Sequence, residues 1–86
     1  MMDPDTPLNI DLELDCSGLK CPLPVLKAAK ALRTAPVGAV VRVLATDPLA
    51  ELDLRHFCSE AGHDFLSAQT VDGTLHAHIR RGDRDS

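Results

Sequence analysis

The string Leu19-Lys20-Cys21-Pro22-Leu23-Pro24 is where this 86-residue chain concentrates its chemistry. Prolines suit the start of a helix, because the first helical N–H groups have no intrahelical partner to lose. With Pro22 at the first helical position, Cys21 becomes the N-cap. Pro24 then has no N–H to offer, which leaves Leu23 N–H as the donor for the sulfur. A thiol at the positive end of a helix, flanked by Lys20 and Lys27, is biased toward its anion. A free thiol titrates near about 8.5, and these features predict a midpoint below that value. A thiolate is the form that a nucleophile or a sulfur carrier uses. The bland alternative is a small capping residue between two helix-starting prolines.

The remaining candidates are Cys16, Cys58 and four histidines. Three cysteines do not make a disulfide framework. Cys16 stands five positions before Cys21, as a resolving thiol in a redox pair or as a filler at a strand end. Cys58 falls on an inward helical stripe and reads as a buried structural thiol. His76 and His78 share one strand face, but no cysteine pair or acidic cluster completes a four-ligand site. His56 and His63 lie on or beyond a helix, so no metal is expected. His63, after Gly62, reads as a helix-end group.

Charge is unevenly placed. Residues 1–15 hold five acids and no base, whereas residues 16–46 hold Lys20, Lys27, Lys30, Arg33 and Arg42 and no acid. Residues 47–86 are acidic again, and the formal net charge is −4. The cationic segment surrounds Cys21, so Lys20, Lys27, Lys30 and Arg33 are expected to dock acidic partner proteins. Only two aromatics, Phe57 and Phe65, are present. That argues against base stacking and, with the acidic balance, against direct nucleic-acid binding. No apolar run reaches 18 residues, which excludes a membrane-spanning helix. The amino terminus lacks a secretory pattern, so a reducing cytoplasm is the expected compartment.

The elements that must position Cys21 follow from periodicity. Residues 1–9 hold Pro4, Pro7 and no apolar period, and are expected to form a flexible tail, as are residues 83–86. Ile10, Leu12 and Leu14 alternate with Asp11, Glu13 and Asp15, a half-buried strand. Pro22 to Thr34 reads as a helix with Val25, Ala29 and Leu32 inward, beside Leu26 and Ala28. Ala39 to Thr46 is a second strand with Val41, Val43 and Ala45 inward. Asp47-Pro48 is a helix-start signal, with Asp53 as a second possible cap. Leu54, Phe57, Cys58 and Ala61 define the buried side of that helix, which stops at Gly62. Asp72-Gly73 marks a hairpin between Asp64–Val71 and Thr74–Arg81. The outer sheet face is expected to carry Asp11, Glu13, Arg42, His76, His78 and Arg80. Residues 10–82 therefore form one domain of the α/β class. It is a two-layer sandwich in the order β-α-β-α-β-β, with a four-stranded mixed sheet and two helices on one face.

Leu14-Asp15 followed by Gly18-Leu19-Lys20-Cys21-Pro22-Leu23-Pro24 resembles the signature of the TusA/SirA family of small sulfur carriers. The resemblance continues through Asp47-Pro48, Phe57-Cys58 and Gly62-His63 to the closing strands. It implies that Cys21 carries a covalent persulfide, with no metal or organic cofactor. The sulfur would come from a cysteine desulfurase or a rhodanese-type donor and pass to a downstream acceptor protein. The destinations it implies are tRNA thiolation, cofactor maturation or sulfur metabolism. Such a protein is a sulfurtransferase-type carrier rather than a classical turnover enzyme. Lys20, Pro22, Leu23, Pro24 and Lys27 would support Cys21, while Lys27, Lys30 and Arg33 would dock partners. Two other readings stand beside it, a non-catalytic regulatory or docking module and a thiol redox protein pairing Cys16 with Cys21.

Overall fold

A computed structural model describes residues 10–83. The expected tail at 1–9, and residues 84–86 of the one expected at 83–86, lie outside the described residues. The elements are β1 (Leu12–Cys16), α1 (Leu23–Thr34), β2 (Val40–Ala45), α2 (Ala50–Ala61), β3 (Asp64–Val71) and β4 (Thr74–Arg80). The sheet order is β1-β2-β4-β3, with β1 parallel to β2 and the other two pairings antiparallel. Both helices pack on one face, giving the expected two-layer mixed-sheet sandwich.

Alternation decides what is buried. Val41, Val43 and Ala45 of β2 and Leu75, Ala77 and Ile79 of β4 point to the helices, as does Cys16 from β1. Ala28 and Leu32 of α1 and Ala50, Leu54 and Cys58 of α2 close on them. The side chains are small, so the helices can approach the sheet without an aromatic wedge. The β3–β4 turn has φ of 51° at Asp72 and 81° at Gly73, the left-handed pair that a two-residue hairpin requires.

Helix α1 departs from its expected stripe. Its buried residues are Pro24, Ala28, Ala31 and Leu32, whereas Leu26 is 57% exposed. The buried stripe at Pro24, Ala28, Ala31 and Leu32 follows three- and four-residue spacing and leaves Leu26 on the opposite side. Neither expected carboxylate caps α2. Its N-cap is Leu49, without a side-chain cap bond, and Asp53 lies inside the first turn.

The outer sheet face is polar, as expected. Glu13 pairs with Arg42 at 3.1 Å, and Asp64 with Arg80 at 2.9 Å. Arg42 Nε also donates to His78 Nε2 at 3.1 Å, while His78 Nδ1 lies 3.1 Å from Ser67 Oγ. Both ring nitrogens of His78 are thus engaged within the fold. His63 accepts from Gly82 N–H through Nδ1 at 3.1 Å and packs on Phe57, which ties the end of α2 to the chain beyond β4. The Arg81 guanidinium donates to Leu32 O near the carboxyl end of α1, where a cation is favoured.

Burial, followed by Arg42 for His78 and Arg81 for His63, pushes both imidazoles below their usual titration range. The unfolded chain takes up protons on both rings below about pH 6.5 that the folded protein refuses. Stability present above that pH is therefore lost as pH falls. The thermal midpoint is expected to drop between about pH 7.5 and 5.5, and His78→Gln to reduce the drop. A drop of the same size in His78→Gln contradicts this assignment.

Candidate functional site

Two loops build the site, and both leave the carboxyl ends of parallel strands, where α/β sheets open crevices to ligands. The β1–α1 loop carries Cys21 and the β2–α2 loop carries Thr46 and Asp47. Side chains stitch them together. Thr46 Oγ1 accepts from Gly18 N–H at 2.9 Å, and Asp47 Oδ2 accepts from Cys21 N–H at 2.6 Å. Asp47 Oδ1 accepts from Leu49 N–H at 2.9 Å. One carboxylate thus holds the main chain of Cys21 and the entrance to α2. The backbone N–H groups of Leu49 and Cys21 keep the Asp47 carboxyl below the ordinary carboxylate range.

The helix start differs from the expected one. Pro22, not Cys21, is the N-cap, and the Cys21–Pro22 peptide is cis. Leu23 N–H donates to Lys20 O at 2.7 Å and is not the donor for the sulfur. The prolines do occupy the helix start, and Pro24 is buried against the core.

Cys21 is exposed, whereas Cys16 and Cys58 are buried to 0% and 2% exposure. Burial raises both buried thiols, that of Cys58 to about 11. Cys16 is a core residue at a strand end, the filler role set against a resolving thiol.

The thiol of Cys21 faces a groove of about 600 Å³ between α1 and α2. Pro22 and Val25 form one wall, and Leu52, Asp53, His56, Phe57 and Glu60 form the other. The expected anion-favouring field is reversed here. The nearby Asp53 carboxylate is the largest influence on the thiol, followed by partial desolvation and the charge of Asp47, and all of them raise its titration. These influences oppose the expected shift of the midpoint below that of a free cysteine. Lys27 acts on Asp15 and Cys16 rather than on Cys21, and Lys20 acts on Asp47. Lys27, Lys30 and Arg33 are exposed on α1, outside the groove wall.

Local sequence reading missed the Asp47 stitch and the place of Asp53 in the groove. Asp47 was legible only as a helix-start residue, because its bond to Cys21 spans 26 positions. Among the described residues no group of three or more His, Cys, Asp or Glu could hold a metal ion. No described helix is long and apolar enough to cross a membrane.

A family model described as "Sulfurtransferase TusA" matches residues 12–81. The chain is 38% identical over 81 residues to the sulfur carrier protein TusA of Pseudomonas syringae pv. syringae, covering 94% of this chain and 96% of that one. It is 52% identical over 62 residues to a putative sulfur carrier protein of Neisseria meningitidis serogroup A, covering 72% and 84%. Among solved structures, the SirA-like protein from Desulfitobacterium hafniense superposes with a TM-score of 0.68 at 28% identity. That match covers 84% of this chain and 99% of the other.

Proposed function

We propose, since the chain belongs to the TusA family of sulfur carriers, that Cys21 accepts sulfane sulfur as a persulfide and relays it to a second protein. The observation that carries this reading is that Cys21 is the one thiol of the three that a partner can reach. In loading, the Cys21 sulfur attacks the terminal sulfur of a donor persulfide. An S–S bond forms on Cys21 as the donor's S–S bond breaks. The donor leaves as a thiolate and takes up the proton that Cys21 gives up, so a persulfide is reduced as a thiol is oxidised. The step needs no metal or organic cofactor. Relay to the acceptor is the same reaction with Cys21 as the donor.

The donor in this reading is a cysteine desulfurase or a rhodanese-type protein, and the acceptor is a protein thiol. From there the sulfur goes to tRNA thiolation, cofactor maturation or sulfur metabolism. A cytoplasmic location fits, because an exposed thiol carrier needs a reducing compartment. Nucleic acid is reached through the acceptor, in keeping with the acidic net charge and the two aromatics. A redox pair of Cys16 with Cys21 is disfavoured by the complete burial of Cys16.

Docking is assigned to the cations of α1. Lys27, Lys30 and Arg33 are exposed on the helix that follows Cys21, where an acidic partner surface would be steered. Lys27→Glu with Lys30→Glu is expected to slow sulfur transfer from a protein donor roughly tenfold or more at low salt. Rim charges act chiefly on association, so the deficit should shrink as salt rises. Reaction with a small persulfide should be unchanged. Equal slowing of both reactions means the charges act on Cys21 itself, and no change in either means a merely solvated helix face.

A further inference from the structure

We infer that Asp53 is a positioning residue for sulfur loading: its carboxylate holds the unloaded Cys21 thiol inside the α1–α2 groove and repels the persulfide anion that loading creates, which turns the loaded sulfur out toward the partner. The inference rests on the carrier reading above and assigns a role to a residue outside the cysteine loop.

Three observations carry it. Asp53 sits in the first turn of α2 and shares the groove with Cys21. Its Oδ2 is buried and lacks a hydrogen-bond partner among the described residues. A buried carboxylate oxygen without a donor is costly, and the Cys21 thiol is an S–H donor lining the same groove. Asp53 also raises the titration of that thiol, and no fixed hydrogen bond locks the pair, so the thiol is free to leave.

The surrounding charges set the sign. Facing Cys21 are Lys20 from its own loop, Asp47 from the β2–α2 loop, and Asp53, His56 and Glu60 from α2. Helix α1 contributes only Pro22, at its cap, and Val25 to the groove. The groove lining holds Asp53 and Glu60 and no lysine or arginine, so the wall meeting the sulfur is predominantly acidic. A neutral S–H can donate to that wall. A persulfide is more acidic than a thiol and is an anion at neutral pH, so it loses the donor and meets a carboxylate. The same side chain thereby treats empty and loaded carrier oppositely. A first-turn acid also suits the α2 dipole, but that role alone would not touch thiol reactivity.

The test measures alkylation of Cys21 by iodoacetamide, resolved by peptide mass spectrometry, in the wild type, Asp53→Asn and Asp53→Glu. Each is assayed unloaded and after loading with glutathione persulfide. Unloaded Asp53→Asn should react roughly fivefold faster near neutral pH, the factor one unit charge supplies at about 4 Å in water. Its pH profile should shift to lower pH, and Asp53→Glu should restore the wild-type profile. Loaded Asp53→Asn should react more slowly than the loaded wild type, because its persulfide is no longer pushed out. An unshifted Asp53→Asn profile, or the same sign of effect in both states, overturns the inference. If the wild type does not load at all, the carrier reading falls and takes this inference with it. If it loads and Asp53→Asn is indistinguishable from it, this inference falls alone.

Discussion

Cys21→Ser abolishes sulfur loading and leaves the fold in place. A serine hydroxyl cannot form a persulfide, so the expected loss is complete rather than graded. The fold survives because Cys21 is exposed and its tie to Asp47 runs through the main-chain N–H, which serine keeps. Cys16→Ala and Cys58→Ala, by contrast, are expected to load normally, at some cost in stability for each buried sulfur removed. Mass spectrometry after incubation with a desulfurase and cysteine checks all three. Loss of loading in Cys16→Ala equal to that in Cys21→Ser would contradict a single carrier thiol.

Leu54→Ala is expected to give the largest stability loss among single truncations on α2. Leu54 is fully buried between α2 and the sheet and belongs to a core of mostly small side chains. Truncating a buried leucine costs about 2–5 kcal/mol, transfer and cavity terms together. Small domains are stable by only about 5–15 kcal/mol, so this is a large share. Leu52 is two residues away and 67% exposed, and Leu52→Ala should stay within about 0.5 kcal/mol. Urea unfolding followed by circular dichroism distinguishes them, with the midpoint falling for Leu54→Ala and the slope unchanged. Similar midpoints for the two variants would mean that α2 is not packed through Leu54.

What could be read from the residues alone was whatever depends on short-range periodicity. The alternation of Val41, Val43 and Ala45, the left-handed Asp72-Gly73 turn and the Leu54–Cys58 stripe are each decided within a few positions, and together they define a mixed-sheet sandwich. Cys21 stood out because two prolines and a lysine around a cysteine form a local pattern. What escaped depends on chain segments meeting in space. The cationic run at 16–46 suggested an anion-favouring field. Folding leaves Lys27 outside the groove, ties Asp47 to the Cys21 main chain and places Asp53, from the following acidic segment, in the same groove as the thiol. Charge along the chain is not charge around an atom. The stripe of α1 was misjudged for a related reason. Leu26 is more apolar than Pro24 or Ala31, yet the face that packs on the sheet runs through Pro24, Ala28, Ala31 and Leu32 and leaves Leu26 outside.

The most direct measurement of the carrier claim is peptide-resolved mass spectrometry of the protein after incubation with a cysteine desulfurase and cysteine, under non-reducing conditions. The account predicts one added sulfur mass on the peptide containing Cys21, with Cys16 and Cys58 unmodified. Sulfur on Cys16 or Cys58, a Cys16–Cys21 disulfide in place of the added sulfur, or no gain on any peptide would contradict it.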